Sequence, residues 1–260
     1  SAASDVYKRQ IFPLRFWLPD AHMVAPSTAS AVLSGIVIEA AAVLVYRLAC
    51  ADPVLSRVLL CLAAAGAFLG NLSALAQDDV KRMLAYSSVA NVSYIVMGLC
   101  SGSGLARTYA LLHVAAHGHL KAALFLVSGV LLARYGTRSL NSLAGSLSRD
   151  NLLKLVVVAC ALGLTGAPPL LPFWSELYIA VGLYAASPAL TVLFACAVIV
   201  SFGYYFRLLY ALSRSDARSL PAPAKRNALA EAPALLLLPV SYTHLTLTTS
   251  VLDYFALAQS

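Results

Sequence analysis

The stretch Leu105–Ala133, LARTYALLHVAAHGHLKAALFLVSGVLLA, decides the fold. A helix needs roughly 20 mostly apolar residues to cross a bilayer, and this run is long enough and apolar enough to do so. Working outward from it, the same reading applies to Pro26–Cys50, to Val54–Ala76 and to Val89–Cys100, which extends backward through Met83–Ser88. On the other side, Leu152–Leu164 runs into the Ala167-Pro168-Pro169 break, followed by Phe173–Ala186, Ala189–Leu212 and Ala230–Val240. These runs far exceed the mean strand of about 5–6 residues. The expected fold is all-α: a polytopic transmembrane helical bundle of about eight membrane-crossing segments, with a broken helix near Pro168-Pro169.

Composition points the same way. Of 260 residues, 60% are hydrophobic and 11% charged, against about 25% charged in an average soluble domain. The net charge of +7 reflects few acids (11) rather than many bases (18). No run of Lys and Arg forms a basic patch, so a nucleic-acid partner is not expected. Cys50, Cys61, Cys100, Cys160 and Cys196 stand singly, without zinc or redox spacing, and read as small apolar residues. Lys and Arg divide nearly evenly between alternate loops, which assigns no orientation. Ser1–Gln10 (SAASDVYKRQ) is polar and lacks the features of a signal peptide. Ser241–Ser250 (SYTHLTLTTS) interrupts an otherwise apolar helix. Both read as foreign to the membrane domain. The expected organisation is 1–10 non-native or disordered, 11–240 a transmembrane domain, and 241–260 partly non-native.

Ionisable residues inside apolar helices cost about 2.5–3.5 kcal/mol on insertion scales and mark ion pathways. Glu39 stands mid-span, with no other charge between Pro26 and Tyr46. It reads either as the partner of a cation on another helix or as a protonatable site in a transport path, and both can hold. His113, His117 and Lys121 recur at every fourth position, so at about 100° per residue they share one stripe about 12 Å long. Histidine titrates nearest neutral pH, and a column of such groups can pass protons. The plain alternative is a set of core hydrogen-bonders, which three residues in register make less economical. His119 falls on another face. The pair His113 and His117 lacks the intervening Glu of a zinc-binding HExxH helix, so no metal is expected. Glu176 follows Gly166-Ala167-Pro168-Pro169 at a helix start. There it either complements the helix dipole or occupies a site beside a broken helix. Asp78-Asp79-Val80-Lys81-Arg82 reads as a solvated turn or helix end.

Four blocks together resemble the antiporter-like subunits of respiratory complex I, a family shared with multisubunit Na+/H+ antiporters and membrane-bound hydrogenases. They are Phe16-Trp17-Leu18-Pro19-Asp20-Ala21-His22 with Ala25-Pro26-Ser27; Ala76-Gln77-Asp78-Asp79-Val80-Lys81-Arg82 with Leu84-Ala85-Tyr86-Ser87-Ser88; His113 through Lys121 with Ala123-Leu124-Phe125; and Gly166-Ala167-Pro168-Pro169 through Phe173-Trp174-Ser175-Glu176. The resemblance implies a proton path through Glu39, Lys81, His113, His117, Lys121 and Glu176. Position 39 departs from the family, which carries a lysine there. The family's glutamate on an earlier helix has no counterpart, and the chain reads as a C-terminal fragment of a longer subunit.

The resemblance implies a proton-translocating membrane subunit of a redox-driven complex, either NADH:quinone oxidoreductase-like or membrane-bound hydrogenase-like, in a prokaryotic cell membrane. Such a chain would hold no cofactor or redox centre of its own. Its partners would be other membrane subunits, lipid and protons. Alternatives are a subunit of a Na+/H+ antiporter, with Na+ as a second ion, and a non-pumping structural membrane subunit.

Overall fold

The computed structural model describes residues 17–49 and 52–214. Helix α1 covers Trp17–Val24, α2 Ser27–Val32, α3 Ile38–Ala49, α4 Pro53–Leu75, α5 Val80–Cys100, α6 Gly104–Tyr135, α7 Asn151–Leu164, α8 Leu171–Ala186 and α9 Pro188–Ser213. A single π turn, Leu33–Val37, joins α2 to α3, so Ser27–Arg47 acts as one span. Among the described residues no sheet forms; there is one bridge, Asp79 to Ser139. The expected segments from Pro26 to Leu212 are all helical. Ala230–Val240, Ser1–Gln10 and Ser241–Ser250 lie outside the described residues.

Among the described residues, five helices are long and apolar enough to cross a membrane: Ser27–Arg47, α4, α5, α6 and α9. Helix α7, with 14 residues, reaches only about 21 Å, short of a hydrocarbon core of about 30 Å. Together with α8 it flanks the break at Pro168-Pro169, so the expected broken helix is present as two short helices.

The helix ends follow from local chemistry. Asp52 accepts from the Val54 N–H at 2.8 Å and is followed by Pro53, a residue suited to the first helical position. Asp79 caps α5 by accepting from the Arg82 N–H at 3.0 Å. Asp150 caps α7 through the Leu152 and Leu153 N–H groups and pairs with Arg134 at 2.9 Å.

The bundle is built around α5 and α6, which are mostly buried, while α4, α9 and the Ser27–Arg47 span turn much of their surface outward. Helix α4 presents a face of small residues, Ala63, Gly66, Ala67, Gly70 and Ala74, to its neighbours. Such faces let membrane helices approach closely where no aqueous hydrophobic force drives them together. On the opposite side Val54, Val58 and Leu69 are exposed.

The Asp78-Asp79 cluster is more than a solvated turn. The Asp78 carboxylate accepts from Ser139 Oγ at 2.8 Å, Asn141 Nδ2 at 2.9 Å and Arg207 Nη2 at 3.3 Å. Arg207 also donates to the Leu75 and Gln77 carbonyls, which satisfies orphan acceptors at the end of α4. Asp79 pairs with Arg138 at 3.3 Å. These contacts tie the ends of α4, α5, α6 and α9 into one knot.

Candidate functional site

Helix α6 carries the centre of the site. His113, His117 and Lys121 are all fully buried, on the face turned toward α5, α8 and the α2–α3 span. The imidazoles of His113 and His117 lie nearly parallel, with centroids 6.1 Å apart and planes 11° apart. The one-stripe reading of the sequence therefore holds in the structure.

Glu39 completes this column from the facing span. It is 3% exposed, and its Oε1 is in direct contact with His117 Nδ1. One proton position lies between the two atoms, on the ring nitrogen when the carboxylate is ionised and on the carboxyl when the ring accepts. Lys121 is close enough to act electrostatically on both Glu39 and His117. Glu39 has a partner on another helix, as one sequence reading expects, and that partner is itself titratable.

Backbone contact sets this pairing. Gly35 lies in the π turn, and Gly118 follows His117 directly. A Cβ on Gly118 would come within 2.6 Å of the Gly35 carbonyl oxygen, and one on Gly35 within 3.0 Å of the Gly118 carbonyl oxygen. Only two glycines let the two backbones touch at this point, and that contact brings Glu39 to His117.

The other partners of the column come mainly from α5. Lys121 Nζ donates to Ser87 Oγ and, at 3.1 Å, to the Leu84 carbonyl, and it lies 5.6 Å from the centre of the Tyr205 ring. His113 Nε2 meets Asn91 Oδ1 at 3.2 Å, and His113 Nδ1 meets Ser175 Oγ of α8 at 2.7 Å.

Lys81 stands apart from this column. It is buried at the first turn of α5, and its Nζ donates to the Ala25 carbonyl between α1 and α2. His22 of α1 is a further buried titratable group. It is fully buried, stacks on Phe125 at 4.5 Å and 12°, and is within electrostatic reach of both lysines.

Glu176 differs from its sequence reading in one respect. It lies beyond the first turn of α8, which contains no acid, so the dipole account fails and the buried site beside the break remains. Its carboxylate abuts Gly166, a residue at φ +67°, where a Cβ would collide with Glu176 Oε2. Tyr94, Tyr204 and Tyr205 all lie within electrostatic reach of it. Tyr94 and Tyr204 are tied together through Asn71, which donates to Tyr94 Oη at 2.6 Å and accepts from Tyr204 Oη at 3.0 Å. His119 is exposed, as its helical position implied.

The structure thus joins Glu39, His117, His113 and Lys121 in one cluster, with Lys81 and Glu176 on other elements. Sequence reading did not single out Asn91, Ser87, Ser175 or His22. Ser87, Ser175 and His22 fall inside the family-like blocks, which was the available signal. Among the described residues no group of three His, Cys, Asp or Glu side chains is placed to hold a metal ion.

Comparison with known proteins fits this arrangement. Residues 3–201 match the family described as NADH:quinone oxidoreductase/Mrp antiporter, TM. The chain is 36% identical over 249 residues to NADH-quinone oxidoreductase subunit N of Desulforudis audaxviator, covering 90% of this chain and 50% of that protein. It is 33% identical over 210 residues to subunit M of Pseudomonas aeruginosa, covering 79% and 40%. The chain therefore spans about half the length of the curated relatives it matches. Its fold is similar to a chain of the Mrp complex from a Dietzia species, with TM-score 0.81, 21% identity and coverage of 92% and 53%. It is also similar to a chain of an archaeal membrane-bound sulfane sulfur reductase, with TM-score 0.78, 25% identity and coverage of 94% and 51%. With its apolar spans and buried ionisable column, the chain is an integral membrane protein and belongs to the NADH:quinone oxidoreductase/Mrp antiporter transmembrane family.

Proposed function

We propose that this chain is the proton-carrying part of a membrane subunit in a redox-driven complex, NADH:quinone oxidoreductase-like or membrane-bound hydrogenase-like. The observation that carries the reading is the contact between Glu39 and His117. A buried acid and a buried base share one proton position, within the reach of Lys121 and stacked against a second imidazole. Burial disfavours the charged form of acids and bases alike, so each charge depends on its neighbour, and moving one proton changes the preferred state of the next group. The far atoms of the pair, Glu39 Oε2 and His117 Nε2, are buried without a hydrogen-bond partner among the described residues. These are the atoms at which a proton enters or leaves the pair. Lys81 and Glu176 extend the path toward the α1–α2 junction and toward the break before α8. In this reading the redox chemistry resides in other subunits, and this chain holds no cofactor.

The test uses the full-length subunit in its native complex, in inverted membrane vesicles. Glu39→Gln keeps the shape and a hydrogen-bonding group but cannot ionise. Lys121→Ala removes the cation next to it. Each variant is expected to assemble and to lower proton translocation by about a hundredfold or more, the lower end of the range for a lost proton-transfer group. Wild-type translocation in both would leave a non-pumping structural role as the better account.

A second reading, a subunit of a Na+/H+ antiporter, is favoured by the family's span across both kinds of complex. It uses the same residues. Proton movement that needs an opposing Na+ gradient and no electron donor would select it.

A further inference from the structure

Ser175 has one hydroxyl proton and two acceptors within reach: the Pro172 carbonyl at 2.9 Å and His113 Nδ1 at 2.7 Å. The other ring nitrogen of His113 fixes the tautomer. Nε2 faces Asn91 Oδ1 at 3.2 Å, an atom that only accepts, and Asn91 is held this way round because its Nδ2 donates to the Ser87 carbonyl at 2.9 Å. His113 Nε2 therefore carries a hydrogen in both protonation states. A neutral ring then has a bare Nδ1, and the Ser175 hydroxyl donates to it. A cationic ring has a second hydrogen on Nδ1 and donates it to Ser175 Oγ, whose own hydrogen turns to the Pro172 carbonyl. Both states are fully hydrogen-bonded, and they differ by one proton on the ring and one rotation of a hydroxyl.

We propose that Ser175 is a positioning residue, a two-way rotor whose hydroxyl keeps His113 hydrogen-bonded in both protonation states of the ring. The inference rests on the proton-path reading above. It places part of the mechanism on α8, one residue before Glu176, at the turn that follows the Pro168-Pro169 break. A serine bonding back to the carbonyl three residues earlier is otherwise an ordinary helix feature, and that plain role predicts no effect on proton movement. The titratable groups buried on the elements packed against α6 are Lys81, Tyr94 and Cys100 of α5, Glu39 of α3, Cys160 of α7 and Glu176 of α8. On α6 itself they are Tyr109, His117, Lys121 and Tyr135.

The experiment compares Ser175→Thr with Ser175→Val in the full-length subunit of the native complex, because these side chains match in shape and differ by the hydroxyl. Ser175→Ala and His113→Gln are measured alongside. Complex yield, translocation rate and its pH profile are read in vesicles. Threonine is expected to retain translocation. Valine and alanine are expected to lower it about tenfold near neutral pH, with partial recovery about one pH unit lower, since a hydrogen bond to a charged group is the one lost. Equal rates and profiles for threonine and valine, or an unaltered alanine variant, would overturn the rotor. A His113→Gln variant that pumps normally would instead overturn the proton-path reading. The two failures are thus distinguishable.

Discussion

A carboxylate at position 39 persists in an apolar span because His117 stands opposite it and Lys121 lies one turn beyond. His22 has no such arrangement. Its ring is fully buried, and neither nitrogen has a hydrogen-bond partner among the described residues. An unpartnered buried polar group costs about 1–3 kcal/mol, and exceptions of this kind call for an explanation. The electrostatic reach of His22 to both Lys81 and Lys121 makes proton exchange with them the role to test. His22→Phe keeps the stack on Phe125 and removes the polar atoms. The variant is expected to gain about 1 kcal/mol in thermal stability and to lose translocation, read by melting of the purified complex and by vesicle pumping. A stabilised variant that pumps normally would make His22 a packing residue only. At this scale the sequence was legible where residues repeat. The spacing of His113, His117 and Lys121 placed them on one stripe. Asn91 is an isolated polar residue in an apolar helix, and nothing in its local pattern sets it apart; Ser87 and Ser175 are marked only by the family-like blocks they fall in. The pairing of Glu39 with His117 links residues far apart in the chain, beyond the reach of any periodicity.

The helices themselves were legible because a membrane span must be long and apolar, and the caps Asp52, Asp79 and Asp150 match the expected ends. Two features were not legible. The π turn Leu33–Val37 has no strong signature, yet it presents Gly35 to Gly118. The position of Glu176 beyond the first turn of α8 depends on where the helix starts after the double proline, and the sequence places that only loosely. The Gly35–Gly118 contact can be tested as an element-level hinge of the site. In Gly118→Ala the new Cβ would meet a backbone carbonyl rather than the end of a flexible side chain, so the α2–α3 span must move away from α6. Overpacking of this kind costs about 1–3 kcal/mol. The expected result is a complex of reduced thermal stability in which translocation falls as far as in Glu39→Gln. Full activity would show that the Glu39–His117 contact tolerates a wider helix separation than its geometry indicates.

The whole molecule divides its surface by helix face. In α9, Val192, Ile199, Phe206 and Tyr210 are exposed. The first three recur at every seventh position, which drifts only about 20° around a helix, so they form one stripe. Phe194, Ala197, Ser201, Tyr204 and Tyr205 are buried on the opposite side, where Tyr204 joins the Asn71 network and Tyr205 lies against Lys121. A membrane protein of this design keeps its ionisable column on buried helix faces and turns apolar faces outward. Helix α5 is the strictest case, since it supplies Ser87 and Asn91 to the column and is buried along most of its length. A lipid-soluble carbene reagent reads this division directly because it inserts into whatever side chain faces the acyl chains. Within α9, label is expected at Val192, Ile199, Phe206 and Tyr210 and not at Phe194, Ala197 or Tyr204. The stretch Met83 to Leu99 of α5 is expected to stay essentially unlabelled. Label spread evenly around α9, or label on α5 near Asn91, would place the column in contact with lipid, where unpaired charges on Glu39 and Lys121 could not be held. Because modification would be compared between two faces of one helix, the result depends on which way α9 faces and not on how much reagent partitions into the membrane.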